Sequence, residues 1–337
     1  MIEAKSFESW LRPEPEGLFC IPGNFYIDPT TSVERAIVTH AHSDHARPGL
    51  DAVLATRETL DIMKIRLGEA SPQRPHVLEL GETINVGDVQ VSLSPAGHIL
   101  GSAQVVLTYG GQRAVVSGDY KRSFDTTCRP FELVKCDLFV SEATFGLPIF
   151  SFGDATVEIR KLLTSVEMFP SRTHQVGVYG LGKCQRVISL LRAESYDKPI
   201  WLHGAMRATC DYYRQQGFKL GELRPVAEAT SKLLGEIVLG PPSALGDLWS
   251  RRFEYPVNCL ASGWMQVRGR ARQRNIELPL IISDHSDWPQ LLQTVQETGA
   301  SDLWVTHGRE EALVYEARRR GMNAKALSLV GREEEAE

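Results

Sequence analysis

Ala36-Ile37-Val38-Thr39-His40-Ala41-His42-Ser43-Asp44-His45 is the stretch on which the reading of this chain turns. The apolar run Ala36–Val38 predicts a strand that stops just before the first histidine. Alternation along the end of a strand puts His40 and His42 on one side, and Asp44 and His45 continue into a turn. Three imidazoles and a carboxylate within six residues suit zinc, which takes nitrogen and carboxylate oxygen in tetrahedral or five-fold sites. The whole chain has nine histidines, so three at this spacing form a specific motif; the alternative is a surface histidine cluster.

One such cluster does not close two metal positions, and further ligands have to come from later strand ends. Val89-Gln90-Val91-Ser92-Leu93 alternates with period two after the turn residues Gly87-Asp88, as a half-buried strand does. It leads into Pro95-Ala96-Gly97-His98-Ile99-Leu100-Gly101-Ser102. Val115-Val116 ends in Ser117-Gly118-Asp119, and Leu138-Phe139-Val140 ends in Ser141-Glu142. A carboxylate such as Asp119 can bridge two metals about 3.5–4 Å apart. Taken singly, His98 reads equally as a core or surface histidine, and Asp119 as a turn residue.

The middle of the chain changes character. Residues 155–169 read as a helix, 175–179 as a strand and 185–192 as a helix, with Gly180-Leu181-Gly182-Lys183 between the last two. That order predicts a βα-type subdomain over 148–279. Afterwards a strand at 280–282 precedes Ser283-Asp284-His285, and one at 303–305 precedes Thr306-His307; 290–297 and 310–319 read as helices.

Composition sets outer limits. The 337 residues are 42% apolar and 23% charged, a globular balance and not a disordered one. No run approaches the roughly 18 apolar residues of a membrane helix. The N-terminus lacks the apolar core of a signal peptide. The six cysteines are scattered without a Cys-x-x-Cys pair, which predicts reduced thiols in core packing and a cytoplasmic protein. With 37 Lys+Arg against 42 Asp+Glu the formal net charge is −5, whereas a nucleic-acid binder usually shows a basic footprint. The excess sits largely in the last seven residues, where four Glu face one Arg and a frayed acidic tail is expected. Arg251 to Arg274 carries six Arg and one Glu, four of the Arg alternating at 268, 270, 272 and 274.

Taken together in order, these motifs resemble those of metallo-β-lactamase-fold nucleases of the β-CASP group. The match runs over nearly the whole length: Phe25-Tyr26-Ile27-Asp28, His40 to His45, Pro95 to Ser102, Ser117-Gly118-Asp119, Ser141 to Phe145, then Ser283 to Asp287 and Val305 to Gly308. Within the group, Trp10-Leu11-Arg12-Pro13 and Gly17 to Asp28 look most like bacterial ligase-associated DNA exonucleases. The resemblance implies an α/β fold, a metallo-β-lactamase αββα sandwich at 1–147 and 280–330, interrupted by a β-CASP α/β insertion at 148–279 and followed by the acidic tail 331–337. It implies a first divalent metal on His40, His42, His98 and Asp119, and a second on Asp44, His45, Asp119 and His307. Zinc is the first expectation, with manganese compatible with the same ligand types. Asp28 would orient a ligand histidine. His285 would protonate the leaving oxygen, and Glu142 would hold its imidazole and favour the protonated form.

The implied activity is phosphodiester hydrolysis of DNA by a dimetal-bound hydroxide, in an exonuclease of DNA repair. An ATP-dependent DNA ligase and a helicase are the partners the resemblance implies. An RNA-processing ribonuclease of the same group, endo or exo, stays open. His307 stands where RNA-processing members carry His and the eukaryotic DNA-repair members carry Val. A small-molecule metallohydrolase is a further alternative, against which the insertion argues. For substrate binding the candidates are Gly182 and Lys183, as a phosphate cradle or a tight turn. Ser262, Gly263 and Trp264 are added, with Trp264 as a base-stacking or a core residue, and Arg268 and Arg270 as a phosphate track or a solvated loop. His203 reads as structural rather than substrate-proximal.

Overall fold

The computed structural model describes residues 6–327; the acidic run 331–337 lies outside them. The chain divides into two compact units, one formed up to Ile149 and again from His285 onward, the other by Phe150–Asp284.

The first unit opens with a six-stranded sheet in sequence order: β1 (Leu11–Glu14), β2 (Gly17–Cys20), β3 (Phe25–Ile27), β4 (Arg35–Ile37), β5 (Ala52–Ala55) and, after α1 (Arg57–Leu67), β6 (Arg74–Val77). The Thr56 hydroxyl caps α1 by accepting from the Thr59 N–H at 3.3 Å, which satisfies one of the first-turn donors a helix leaves open. Five strands of a second sheet follow: β7 (Thr83–Val86), β8 (Val89–Pro95), β9 (Ala103–Tyr109), β10 (Gln112–Val116) and β11 (Leu138–Ala143). The expected strand at 89–93 is there and runs two residues further.

In the second unit the chain runs through α2 (Ala155–Met168), β12 (His174–Gly177), α3 (Lys183–Ala193), β13 (Ile200–Leu202) and α4 (Arg207–Gln215). It then continues through β14 (Leu223–Pro225), β15 (Ile237–Gly240), β16 (Val257–Ala261), α5 (Arg268–Gln273) and β17 (Leu278–Leu280). These six strands form one sheet ordered β14-β13-β15-β12-β16-β17, parallel throughout. Strands covered on both faces read as continuous apolar runs; Ile237, Val238 and Leu239 of β15 are all fully buried. Because every strand points the same way, all carboxyl ends lie on one edge of the sheet. Arg268, Arg270 and Arg272 fall on α5 and Arg274 is its C-cap; a spacing of two places neighbours on opposite sides of a helix and not in one stripe.

Back in the first unit, α6 (Trp288–Thr298), β18 (Asp302–Gly308), α7 (Glu310–Arg319) and β19 (Asn323–Ala326) complete the second sheet, ordered β19-β18-β11-β10-β9-β8-β7. Its inner strands bury both faces. Leu138, Val140 and Trp304 join Leu18, Ile27 and Val91 in a core between the two sheets. Phe139, Leu303 and Val305 face the other way, onto Leu291, Val295 and Leu313 of α6 and α7. This is the αββα sandwich, with the α/β unit inserted between β11 and α6. Strands β10, β11 and β18 are mutually parallel, so their carboxyl ends lie together and present Asp119, Glu142 and His307 side by side.

At one of those ends the pairing is irregular. Glu142 pairs with Thr306 but Ala143 pairs with Gly308, so His307 is an extra residue between them. A bulge of this kind re-aims a side chain, and His307 holds a left-handed φ of 60°. Gly308 follows at φ 81°, where a Cβ would stand 2.3 Å from the Ala143 carbonyl oxygen. Only glycine fits this close crossing of β18 over the end of β11.

Candidate metal centre

All the histidines and carboxylates assigned from the sequence to metal or acid–base positions lie in the first unit, at strand ends or in the loops that follow them, except His285, which lies just before α6. Four ligand atoms, one each from His40, His42, His98 and Asp119, lie within 4.8 Å of one another. His42 Nδ1 stands 3.1 Å from His40 Nε2 and 3.0 Å from His98 Nε2. Asp119 Oδ2 is 3.3 Å from His40 Nε2 and 3.7 Å from His98 Nε2. A tetrahedron with metal–nitrogen bonds of about 2.0–2.1 Å has edges of about 3.3 Å, and these four edges bracket that length. The group fits one tetrahedral cation.

A second set gathers Asp44, His45 and His307. His45 Nε2 is 3.3 Å from Asp44 Oδ2 and 3.4 Å from the other Asp119 oxygen, Oδ1. His307 Nε2 lies 4.0 Å from Asp44 Oδ2, and its ring stacks on His45 with centroids 4.8 Å apart. Asp119 thus turns one oxygen to each set. His45 Nε2 and Asp119 Oδ1 are fully buried and have no hydrogen-bond partner among the described residues. Buried polar atoms in that condition cost free energy unless something else satisfies them, and a cation between them would.

The tautomers are fixed from behind. Asp28 is buried and takes three bonds: the Thr39 N–H donates to Oδ1 at 2.7 Å, and the Thr39 hydroxyl donates to Oδ2 at 2.6 Å. His45 Nδ1 meets Oδ2 at 2.7 Å. With its one proton spent on Asp28, the Thr39 oxygen is left to accept from His40 Nδ1 at 3.1 Å. Both histidines then carry their proton on Nδ1 and turn Nε2 to the site, the arrangement a metal ligand needs. The motif reading gave Asp28 this role toward a ligand histidine; the histidine is His45. It missed Thr39, whose only signal is a hydroxyl residue directly before His-x-His. Gly118 makes the contact possible, since a Cβ there would lie 2.6 Å from the Thr39 hydroxyl oxygen.

The electrostatics agree with a cation site. Burial opposes a charge on His45, but Asp44, Asp119 and Asp28 outweigh it and push that imidazole well above its usual pKa. Burial also pushes the Asp119 carboxyl up, yet His45, His285 and His40 hold it well below the carboxylate range. The carboxylates therefore draw positive charge inward. Burial, with His285, His40 and His42 nearby, holds His98 well below its ordinary value, which keeps it neutral as a ligand.

Beside these sets, Asp119, Glu142 and His285 form a third group. His285 Nδ1 lies 2.9 Å from Glu142 Oε2 and 3.1 Å from Oε1. Glu142 is itself pinned, accepting from the Tyr120 N–H at 2.7 Å and from the Thr144 hydroxyl at 2.6 Å. The His285 ring packs 4.7 Å from that of His98, so it borders the first set while Glu142 fixes its far nitrogen.

The residues weighed for substrate binding fall within the second unit. Lys183 is buried, its Nζ 3.8 Å from Asp284 and 5.1 Å from the Tyr179 ring. The Gly182 N–H is taken by Gln185 Oε1 at 2.8 Å. The Ser262 hydroxyl accepts from the Trp264 N–H, and Gly263 is buried with them. Trp264 is buried too, with Phe150 at its edge and the Arg270 guanidinium 3.8 Å from its ring centroid. Arg268 is exposed. All six cysteines are buried free thiols, as core packing requires. No helix among the described residues is long and apolar enough to cross a membrane.

Fold and site together define a metallo-β-lactamase-type sandwich whose His/Asp cluster can hold metal ions. No protein-family model matches the chain. It is similar to a probable DNA ligase of Opitutus terrae, 28% identical over 319 residues, which is 92% of this chain and 30% of that protein. It is also similar to an RNase J-like protein of Methanocaldococcus jannaschii, 25% identical over 61% of this chain and 56% of that protein. A third relative is endoribonuclease YSH1 of Gibberella zeae, 26% identical over 53% of this chain and 26% of that protein. The chain thus spans well under two thirds of each of these relatives. A solved structure of a protein of unknown function from Enterococcus faecalis shares the fold, with a TM-score of 0.57 and 12% identity over 81% of this chain and 75% of that one. The chain is a homologue of the β-CASP metallo-β-lactamase nucleases.

Proposed function

We propose that the chain is a metal-dependent nuclease that hydrolyses phosphodiester bonds, with DNA as its substrate and strand-end processing before ligation as its setting. The observation that carries this is Asp119, whose two oxygens face two separate sets of ligand atoms. Divalent cations held there, zinc or manganese by their ligand types, would polarise a phosphoryl oxygen and make water a nucleophile at neutral pH. His40, His42 and His98 would hold one ion, and Asp44, His45 and His307 the other, with Asp119 between them. Thr39 and Asp28 would keep the imidazoles turned to the ions. His285, steadied at Nδ1 by Glu142, would pass a proton from Nε2 to the leaving oxygen.

DNA is favoured over RNA by extent of similarity. The likeness to the probable DNA ligase runs over 92% of the chain, against 61% and 53% for the two relatives named for RNA. A relative in which this region is joined to a ligase also makes a DNA ligase the first partner to test. The RNA reading rests on those other relatives and on His307. The test is to offer end-labelled single- and double-stranded DNA and matching RNA to metal-loaded protein. DNA shortened from one end is expected. Cleavage of RNA alone would transfer the reading to RNA processing, and cleavage of nothing would remove it.

A further inference from the structure

Lys183 of the second unit is buried, but a different set of its cations is not. At the carboxyl ends of the parallel neighbours β13 and β14, a cavity of about 70 Å³ is lined by His203, Gly204, Arg207, Asp211, Arg214 and Arg224. That space admits a ligand of a few atoms, such as one tetrahedral oxyanion. Three guanidinium groups meet two carboxylates there, Asp211 and, beside Arg224, Glu222, a net charge of +1 with His203 neutral.

The arginines are accessible. Their side chains are 64%, 37% and 49% exposed at Arg207, Arg214 and Arg224. Asp211 lies 3.6 Å from Arg207 and 3.8 Å from Arg214, beyond hydrogen-bond reach. Arg214 also donates to the Gly221 carbonyl, and Arg224 pairs with Glu222 at 2.5 Å and lies over the Trp201 ring. The backbone leaves room as well: a Cβ on Gly204 would meet nothing within 4 Å. His203 Nδ1 accepts from the Ala205 N–H at 3.1 Å, which puts the neutral ring's proton on Nε2 as a donor. The carboxyl edge of a parallel sheet is where open α/β folds take their ligands, and planar arginine forks match phosphate oxygens.

We propose that this cavity is a phosphate subsite in which Arg207, Arg214 and Arg224 hold one backbone phosphate of a nucleic-acid strand. The choice of a strand as the source of the phosphate rests on the nuclease reading; the anion chemistry does not. The full chain is stripped of metal with a chelator so that nothing is cut, and binding of a short labelled DNA strand is followed as salt rises. The double variant Arg207→Gln/Arg224→Gln is expected to bind roughly tenfold more weakly at low salt, with a log–log salt slope shallower by about 0.7, the value for one phosphate on a single strand. Asp211→Asn, which removes a competing carboxylate, is expected to move affinity the other way, about threefold tighter. Unchanged affinity and slope in both variants, each melting like wild type, would overturn the subsite. If the double variant binds the strand normally yet loses the stabilisation that inorganic phosphate gives wild type, the strand is overturned as the source and the cavity belongs to free phosphate. Hydrolysis of bis(p-nitrophenyl) phosphate by metal-loaded wild type, a substrate too small to need the cavity, reports on the nuclease reading separately.

Discussion

Both units gather charged side chains where parallel strands stop, and the two gatherings reach opposite states. In the second unit Asp284 is buried against fixed cations, 3.2 Å from Arg186 and 3.8 Å from Lys183, and Arg186 also donates to the Ser283 carbonyl. That cluster satisfies itself. In the first unit Asp28, Asp44, Asp119 and Glu142 meet six imidazoles, and His45 Nε2 and Asp119 Oδ1 are left over. A buried carboxylate with its own guanidinium is a structural pair. One that shares a pocket with imidazoles and leaves buried atoms unsatisfied has room for a cation from outside. Residual demand, more than residue type, separates a site from a strut.

Substitutions can break that contrast. Asp119→Ala should have the largest effect, because it removes an oxygen from both sets. Hydrolysis of bis(p-nitrophenyl) phosphate should fall further than in any other single variant, and bound metal counted by elemental analysis should fall with it. Full metal content in that variant would end the shared-ligand assignment. His285→Ala should keep its metal and its melting temperature while turnover drops by roughly 10²-fold or more. Normal turnover would take His285 out of the proton transfer.

Arg186→Met asks the question of the other cluster. It takes the nearer guanidinium from Asp284 and should lower unfolding free energy by about 3 kcal/mol in urea. Metal content should stay at wild type; a loss of metal without a loss of stability would reverse the roles given to the two clusters. The smallest effect is expected at Glu310, whose carboxyl is pushed up to about 7 by burial and by Glu311. Its folded pKa lies above its unfolded one, so its stabilising contribution is complete below about pH 4.5 and is lost as pH rises through 7. Glu310→Gln should therefore match wild type near pH 4 and melt slightly higher above pH 7. The gain should be under about 1 kcal/mol, since the group is half exposed. A higher melting point at pH 4 alone would contradict the sign.

The sandwich and the metal set were legible because their signals are local. The His40–His45 run and the alternation along Val89–Leu93 each fit in one short window, and the ends of β10 and β11 announce themselves by Ser117-Gly118-Asp119 and Ser141-Glu142. What was not legible depends on partners far along the chain. Lys183, open between a phosphate cradle and a tight turn, has Asp284, about a hundred residues later, as a neighbour. Trp264, open between stacking and core packing, is buried with Arg270 over its ring, and the alternating arginines form no single stripe on the helical α5. His307 was expected after its strand but lies within β18, on a bulge set by the register with β11. The arginines of the small cavity carry no motif, since only the pairing of β13 with β14 assembles them.

The proposed activity requires two sets of ligands that share Asp119 and act together on a phosphodiester. The most direct measurement is to strip the full chain with a chelator, titrate back zinc or manganese, and count bound ions by native mass spectrometry while following bis(p-nitrophenyl) phosphate hydrolysis in the same samples. Two ions per chain are expected, with hydrolysis rising as they bind and with neither ion retained normally by Asp119→Ala. Full hydrolysis in metal-free protein, or binding that stops at one ion with Asp119→Ala unaffected, would contradict it.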